Sequence, residues 1–191
     1  MSEVIRCSWC NGNEAMQEYH DTEWGVPVHD DKKIFEFMIL DGAQAGLSWQ
    51  TVLNKREGYR RLFADFDVAK VAAFSDADCE RILLDPAIIR NRLKVYGAVI
   101  SAREFLAVQD EFGTFDKYIW QFTGGVTIDH QIQADHHVPA TSPESDAMSK
   151  DLRKRGFKFV GSTICYAFMQ AAGMINDHLV TCHRYSYLAG R

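Results

Sequence analysis

Helical periodicity is the feature that most constrains the fold of this chain. Apolar residues recur at helical spacing along most of the sequence, and no strand-like alternation exceeds about four residues. The 191 residues, 47% of them hydrophobic, are enough to bury one good core. The linker-like segment 124–140 is short enough to be a single long loop. We therefore predict an all-α fold in which residues 1–191 form one compact domain.

Capping residues divide this pattern into helices. Ser75 is a predicted N-cap for a helix that runs to about Leu84. Ser142 and Pro143 are the types preferred at an N-cap and a first helical position, and Gly156 follows the end of that helix. The other predicted helices rest on apolar spacing and cover about 31–45, 52–63, 88–108, 114–122, 161–173 and 176–183.

Composition and charge limit where in the cell the protein is expected and what it is expected to bind. No segment approaches the roughly 18 apolar residues of a membrane span, and residues 1–10 lack the apolar run of a secretory signal. We therefore expect a cytoplasmic protein without membrane contact, whose five cysteines are free thiols, metal ligands or buried apolar residues. The net charge of −5 is unusual for a nucleic-acid binder. Five basic residues nevertheless crowd into 150–158, either as a solvated helix face or as a nucleic-acid contact.

Cysteines and histidines near the two ends of the chain form a candidate metal set. Cys7, Cys10 and His20 come early, and His178 and Cys182 are four residues apart on the last predicted helix, which points both to one side. Two cysteines and two histidines would make a closed tetrahedral zinc site, which is structural because no position is left for water. Alternatively, each is an ordinary residue, since free cysteine is often buried as a small apolar side chain.

An acidic residue, Asp41, lies on the apolar face of its predicted helix, three residues after Met38. Because burying an ionised carboxylate without partners is costly, it must cap a helix, form an ion pair or face a ligand pocket. A pair with an arginine such as Arg56 and a partly exposed helix end are the structural alternatives. Two glycines and Trp49 follow the acid within 42–49.

A turn bounded by Gly156 and Gly161 joins two predicted helices directly after the basic cluster. Free backbone N–H groups at the start of the second helix could hold a phosphate, helped by the helix dipole. The alternative is a plain helix–helix connection.

Four segments together resemble a known family. YHDTEWGVP (19–27), QAGLSW (44–49), GFKFVG (156–161) and NDH (176–178) are similar to the bacterial 3-methyladenine DNA glycosylase I family, in register from about Cys7 to Cys182. The resemblance implies an all-helical fold of the helix-hairpin-helix glycosylase superfamily. It also implies one structural Zn²⁺ per chain that joins the termini, with Cys7, His20, His178 and Cys182 as ligands. Cys10 is an extra candidate that would compete with His20.

The resemblance also implies a base pocket. Its catalytic polar residues would be Tyr19 and Asp41, and the substrate-binding side chains would be Trp49 for stacking, with Trp9, Trp24 and Met16 in the walls. Two positions depart from the family: Asp41 stands where a glutamate is usual, and Met16 where a tyrosine is frequent. Because of these two departures, the sequence does not fix the rate of base release or the range of alkylated bases accepted.

DNA contacts are implied in two places. Gly46 and Leu47 match the part of the family that probes the duplex, and the turn around Gly161 matches its backbone-binding hairpin, with Lys158 and Arg155 as cations. The implied activity is that of a DNA repair hydrolase. A monomer would remove 3-methyladenine from alkylated double-stranded DNA, release it as the free base and leave the strand uncut.

The expected mechanism rests on charge. Adenine methylated at N3 is cationic and leaves as a neutral base, so aromatic faces and an ionised Asp41 would select it over normal adenine. Asp177 is nearest to the aspartate that many superfamily members place after the hairpin, although a supporting or capping role beside His178 fits it better. Two other functions remain open from sequence: a zinc hydrolase with an open metal position, and a DNA-damage-binding module without catalysis.

Overall fold

The computed structural model describes residues 4–189 and is mostly helical there. Its α-helices are α1 Glu14–Thr22, α2 Asp31–Gln44, α3 Trp49–Leu53, α4 Arg56–Leu62, α5 Val68–Ala72, α6 Asp76–Leu84, α7 Arg92–Phe112, α8 Phe115–Ile119, α9 Pro143–Arg155, α10 Ser162–Ala171 and α11 Tyr185–Leu188. Short 3₁₀ turns cover Ser8–Cys10, Ala64–Phe66, Trp120–Thr123 and Asp135–His137. Two strands, β1 Ile128–Asp129 and β2 Ile175–Asn176, pair in parallel, with Ile128 opposite Ile175.

Local capping chemistry sets the helix ends that the sequence predicted. Ser75 accepts a hydrogen bond from the backbone N–H of Asp78 and completes a capping box, and Ser142 caps α9 in the same way, with Pro143 as its first residue. Gly156 ends α9 in the left-handed conformation, with φ of 103°. These boundaries are confirmed.

Two predicted helices differ in the structure. The segment 52–63 forms parts of two helices, α3 and α4, which are separated at 54–55. The helix predicted for 176–183 is wrong: the chain leaves β2 and continues in turns. Its backbone bonds go to distant segments, since Asn176 O accepts from His130 N–H and Val180 N–H donates to Ile132 O. Tertiary pairing replaces the local helical hydrogen bonds here.

The core surrounds α2, which packs against α3, α7, α8 and α10. Ile34, Phe37 and Leu40 are fully buried, and so are residues on the other faces of this helix. Lys32 at the start of α2 is exposed, but residues 39–43 are all buried, so the acid near the C-terminus of this helix lies inside the protein. No helix within 4–189 is both long and apolar enough to cross a bilayer.

Candidate active site and metal centre

A cavity of about 470 Å³ lies where the first 3₁₀ turn, α1, the end of α2 and α10 meet. It brings together all six residues that were predicted to line a base pocket: Trp9, Met16, Tyr19, Trp24, Asp41 and Trp49. Gln44, Gln170 and Asp177 also contribute to the wall. The sequence-based site omitted Gln170, although a glutamine within the otherwise apolar α10 could have drawn attention to it.

Aromatic rings form the walls of this cavity. Trp9 and Trp24 meet edge to face with ring centroids 5.0 Å apart, and Tyr19 and Trp49 are tilted against each other at 5.1 Å. Such rings offer flat apolar surfaces for stacking and a negative face for a cation. The cavity therefore suits a planar, electron-poor heterocycle.

Asp41 is buried in this wall, with only 2% of its surface exposed. Its Oδ2 has no hydrogen-bond partner among residues 4–189, and burial raises the pKa of this carboxyl well above its usual range. The pair with Arg56 considered above is wrong, because that guanidinium instead binds Glu23 at 2.7 Å and Glu36 at 2.8 Å. Within residues 4–189, Asp41 is neither paired nor at an exposed helix end, so its Oδ2 is an unsatisfied acceptor in the wall of the cavity.

Two neighbouring groups complete the polar part of the pocket. Trp49 Nε1 is a buried donor that also lacks a partner within the described chain. Tyr19 is buried, and this burial, followed by the nearby charge of Asp41, raises the pKa of its phenol well above 10, so the hydroxyl keeps its proton. The Asp41 carboxylate is an acceptor and the Trp49 indole N–H is a donor, both without a partner within residues 4–189. Together they match a heterocycle whose edge carries a hydrogen-bond donor and an acceptor.

A second carboxylate in the wall, Asp177, is fully engaged. It accepts hydrogen bonds from Tyr166 Oη at 2.6 Å and Gln170 Nε2 at 2.8 Å, and His130 Nδ1 lies 2.8 Å from its other oxygen. Three partners hold this side chain in place. The arrangement matches the supporting role predicted for Asp177 better than a catalytic one.

Cys7, His20, His178 and Cys182 converge on one buried point. Their ligand atoms lie within 4.8 Å of one another, with His178 Nδ1 3.7 Å from both sulfurs and His20 Nε2 3.5 Å from Cys182 Sγ. Two ligands of a tetrahedral zinc ion, at bond lengths of about 2.0–2.3 Å, are themselves about 3.5 Å apart. The donor set and its spacing therefore fit a closed tetrahedral metal site, although His178 and Cys182 come from turns rather than from a helix.

Neighbouring groups orient the two histidines of this cluster. His20 Nδ1 lies 2.8 Å from a carboxylate oxygen of Asp21, and His178 Nε2 lies 3.1 Å from Trp24 O. Because those oxygens only accept, each of these nitrogens carries the proton and the other ring nitrogen is left free for a metal. Proton sharing with the Cys7 thiol lowers the pKa of Cys182, which favours the thiolate.

Cys10 is outside this group of four. Its thiol donates to Cys7 O at 3.1 Å, so the structure gives no support to its competing with His20. Trp24 packs edge to face on the His178 ring, at 4.5 Å between centroids. The cluster thus fixes one wall of the aromatic cavity.

The turn between α9 and α10 packs against the C-terminal part of α2. A Cβ atom added to Gly42 would be 3.4 Å from Phe159, in the middle of that turn. Lys158 is exposed, and Leu47 is 42% exposed in the loop, next to Gly46 with φ of +77°. Gly161 precedes α10 as its N-cap.

Arg155, which the sequence placed with the DNA contacts, is engaged by other side chains of the protein. At the surface, its guanidinium pairs with Glu111 at 2.6 Å and Asp151 at 2.8 Å, and it lies 4.8 Å from the centroid of the Tyr118 ring. These contacts tie α9 to α7 and α8, so we do not retain Arg155 as a DNA ligand.

Known proteins resemble this chain over nearly its whole length. The family model described as methyladenine glycosylase matches residues 9–185. The chain is 47% identical over 182 residues to DNA-3-methyladenine glycosylase 1 of Escherichia coli K12, covering 93% of this chain and 95% of that protein.

Solved structures give the same result. A crystal structure of a 3-methyladenine DNA glycosylase I superposes with a TM-score of 0.92 at 46% identity, covering 94% of this chain and 98% of the other. The enzyme of that name from Staphylococcus aureus, described for its recognition of 3-methyladenine, has a TM-score of 0.91 at 32% identity. The match covers 95% of this chain and 97% of the other. This chain therefore belongs to the methyladenine glycosylase family.

Proposed function

We propose that this protein hydrolyses the N-glycosidic bond of 3-methyladenine in alkylated DNA and releases the free base. The observation that carries the proposal is the buried Oδ2 of Asp41, an acceptor without a protein partner in an aromatic cavity. Family membership supports the same reaction, since similar proteins are named for 3-methyladenine.

Selectivity follows from charge. Adenine methylated at N3 is cationic within the nucleotide, so the rings of Trp49, Trp9 and Trp24 attract it by roughly 0.5–2 kcal/mol each. Ionised Asp41 accepts a hydrogen bond from the base and favours the positive charge that develops on the sugar. Tyr19 supplies a phenol that keeps its proton. Normal adenine is neutral and lacks this attraction, and its departure would need an acid.

The DNA must be opened before the base can enter the cavity. We propose that Leu47 and Gly46 probe the double strand, and that the nucleotide then rotates into the pocket at a cost of a few kcal/mol. The turn 156–161 acts as a helix-hairpin-helix element. Lys158 and the backbone N–H groups after Gly161 bind phosphate there and read no sequence.

Zinc, in this proposal, is structural. Cys7, His20, His178 and Cys182 hold one Zn²⁺ per chain, and the ion ties the first turn of the protein to its last. With four protein donors the shell is closed, which argues against a zinc hydrolase. The residues of the pocket, not the ion, act on the base.

One assay separates an enzyme from a damage-binding module. The protein is incubated with methylated double-stranded DNA, and chromatography of the supernatant detects free 3-methyladenine. We expect release by a monomer, checked by light scattering of the same preparation, without cleavage of the strand. Binding of the methylated DNA without release would refute the proposed reaction.

A further inference from the structure

We infer that Lys94 is a positioning residue for excision from double-stranded DNA, because it fastens the end of α2 and so fixes the loop that carries Leu47. This inference rests on the proposed function, in which that loop probes the duplex. Lys94 belongs to the first turn of α7, about fifty residues further along the chain. Its side chain nevertheless contacts the end of α2, where the loop begins.

The contacts are made by the lysine ammonium group. Lys94 Nζ donates to Ala43 O and to Ala45 O, at 2.7 Å each. The last carbonyls of a helix have no partner within the helix and carry its partial negative charge, so a cation is stabilised there. Two of the three ammonium donors are thereby used on the end of α2.

The loop 45–48 has few other restraints. Leu47 N–H donates to Gln44 O at 2.6 Å and the Ser48 hydroxyl caps α3, but Leu47 is 42% exposed and Gly46 is exposed in a left-handed conformation. A loop with little buried apolar surface opens at low cost unless its backbone is tied down. The lysine therefore fixes the position of Leu47 when the loop contacts DNA.

The position of Lys94 connects the loop to the other proposed DNA contact. Gly97, one turn further along α7, is so close to the turn 156–161 that an added Cβ atom would be 3.1 Å from Lys158. Lys94 thus lies where α2, α7 and that turn meet. Fixing this junction keeps Leu47 and Lys158 at a constant separation while DNA binds.

The test compares Lys94→Met with a matched control, Lys55→Met. Lys55 Nζ also donates to a backbone carbonyl, that of Pro86 at 2.7 Å, but not to a carbonyl at the end of α2. We expect Lys94→Met to lower kcat/KM for 3-methyladenine release from duplex DNA by about ten- to a hundredfold, because a displaced loop misplaces the base. Free 3-methyladenine should bind both variants as it binds the wild type, and Lys94→Arg should recover part of the rate.

A double substitution tests the route of the effect. If Lys94 acts through Leu47, adding Lys94→Met to Leu47→Ala causes little further loss, since the two changes share one interaction. Additive losses would overturn the inference, as would wild-type duplex activity in Lys94→Met or equal weakening of free-base binding.

A direct phosphate contact by Lys94 would give a different signature. The slope of log K against log salt for duplex binding would then fall by about 0.9 in Lys94→Met, and that result would also overturn the inference. Wild-type protein that releases no base refutes the proposed function itself, which is a distinct outcome.

Discussion

Replacing Asp41 with asparagine removes one charge and keeps the shape of the side chain. In the structure Asp41 Oδ2 meets no donor within residues 4–189, so a bound cationic base would provide its hydrogen bond. A hydrogen bond to a charged group contributes about 1.5–3 kcal/mol. At about 1.4 kcal/mol per factor of ten, Asp41→Asn should slow release of 3-methyladenine by about ten- to a hundredfold.

The same substitution should not harm the fold. Burial raises the pKa of Asp41 above its value of about 3.9 in an unfolded chain. The folded protein therefore binds this proton more tightly, and its stability falls as pH rises from the unfolded pKa through the folded one. Asparagine cannot ionise, so Asp41→Asn should be as stable as the wild type or more stable at neutral pH.

The pH profile of catalysis runs in the opposite direction. Since only the ionised carboxyl attracts a cation, kcat/KM of the wild type should rise with pH through the raised pKa of Asp41 in the free enzyme. This acidic limb should be missing in Asp41→Asn. A limb that persists unchanged in the variant would assign the titration to another group.

Melting temperature and single-turnover base release, measured on the same preparations, distinguish a catalytic role of Asp41 from a structural one. The matched control is Glu36→Gln, a buried acid on the same helix that binds Arg56 at 2.8 Å, Arg60 at 3.1 Å and Lys33 at 3.0 Å. We expect this control to lose about 1–3 kcal/mol of stability and to keep its activity per folded molecule. An Asp41→Asn variant that melts early yet excises normally would refute the catalytic role of Asp41.

Four further substitutions probe the rest of the proposal. Asp41→Glu should be tolerated in both fold and rate, and a large loss of base release would show that the pocket is shaped for the shorter acid. Cys182→Ala should lower the melting temperature and the zinc content together, because metal affinity contributes to folding; unchanged melting of wild-type protein after chelation would contradict this. Lys158→Ala should weaken DNA binding equally for all sequences and reduce the salt slope by about 1, measured by titration at several salt concentrations, whereas Arg155→Ala should lower only the melting temperature.

Local chemistry made much of the fold predictable. Ser75, Ser142 and Gly156 mark helix ends because their side chains or backbone conformations satisfy the free groups of a helix terminus, which depends only on nearby residues. The period of the apolar positions likewise placed Asp41 on a buried face. Resemblance to a family then supplied six of the residues that line the cavity.

Contacts between distant segments were beyond the reach of such patterns. The spacing in 176–183 predicted a helix, but backbone groups of this segment form hydrogen bonds with the loop after β1 instead. The pairing of Arg56 with Glu36, and that of Arg155 with Glu111, depend on how helices far apart in sequence pack.

The sequence by itself determined the helical class, the main helix ends and the buried acid, because propensity, capping and periodicity act over a few residues. Tertiary structure alone decided that Cys7, His20, His178 and Cys182 meet, that Asp41 keeps an unpaired oxygen, and that Lys94 reaches the carbonyls of α2. Each of these depends on groups that are brought together from as far apart as the two ends of the chain. Only the packed core fixes their distances.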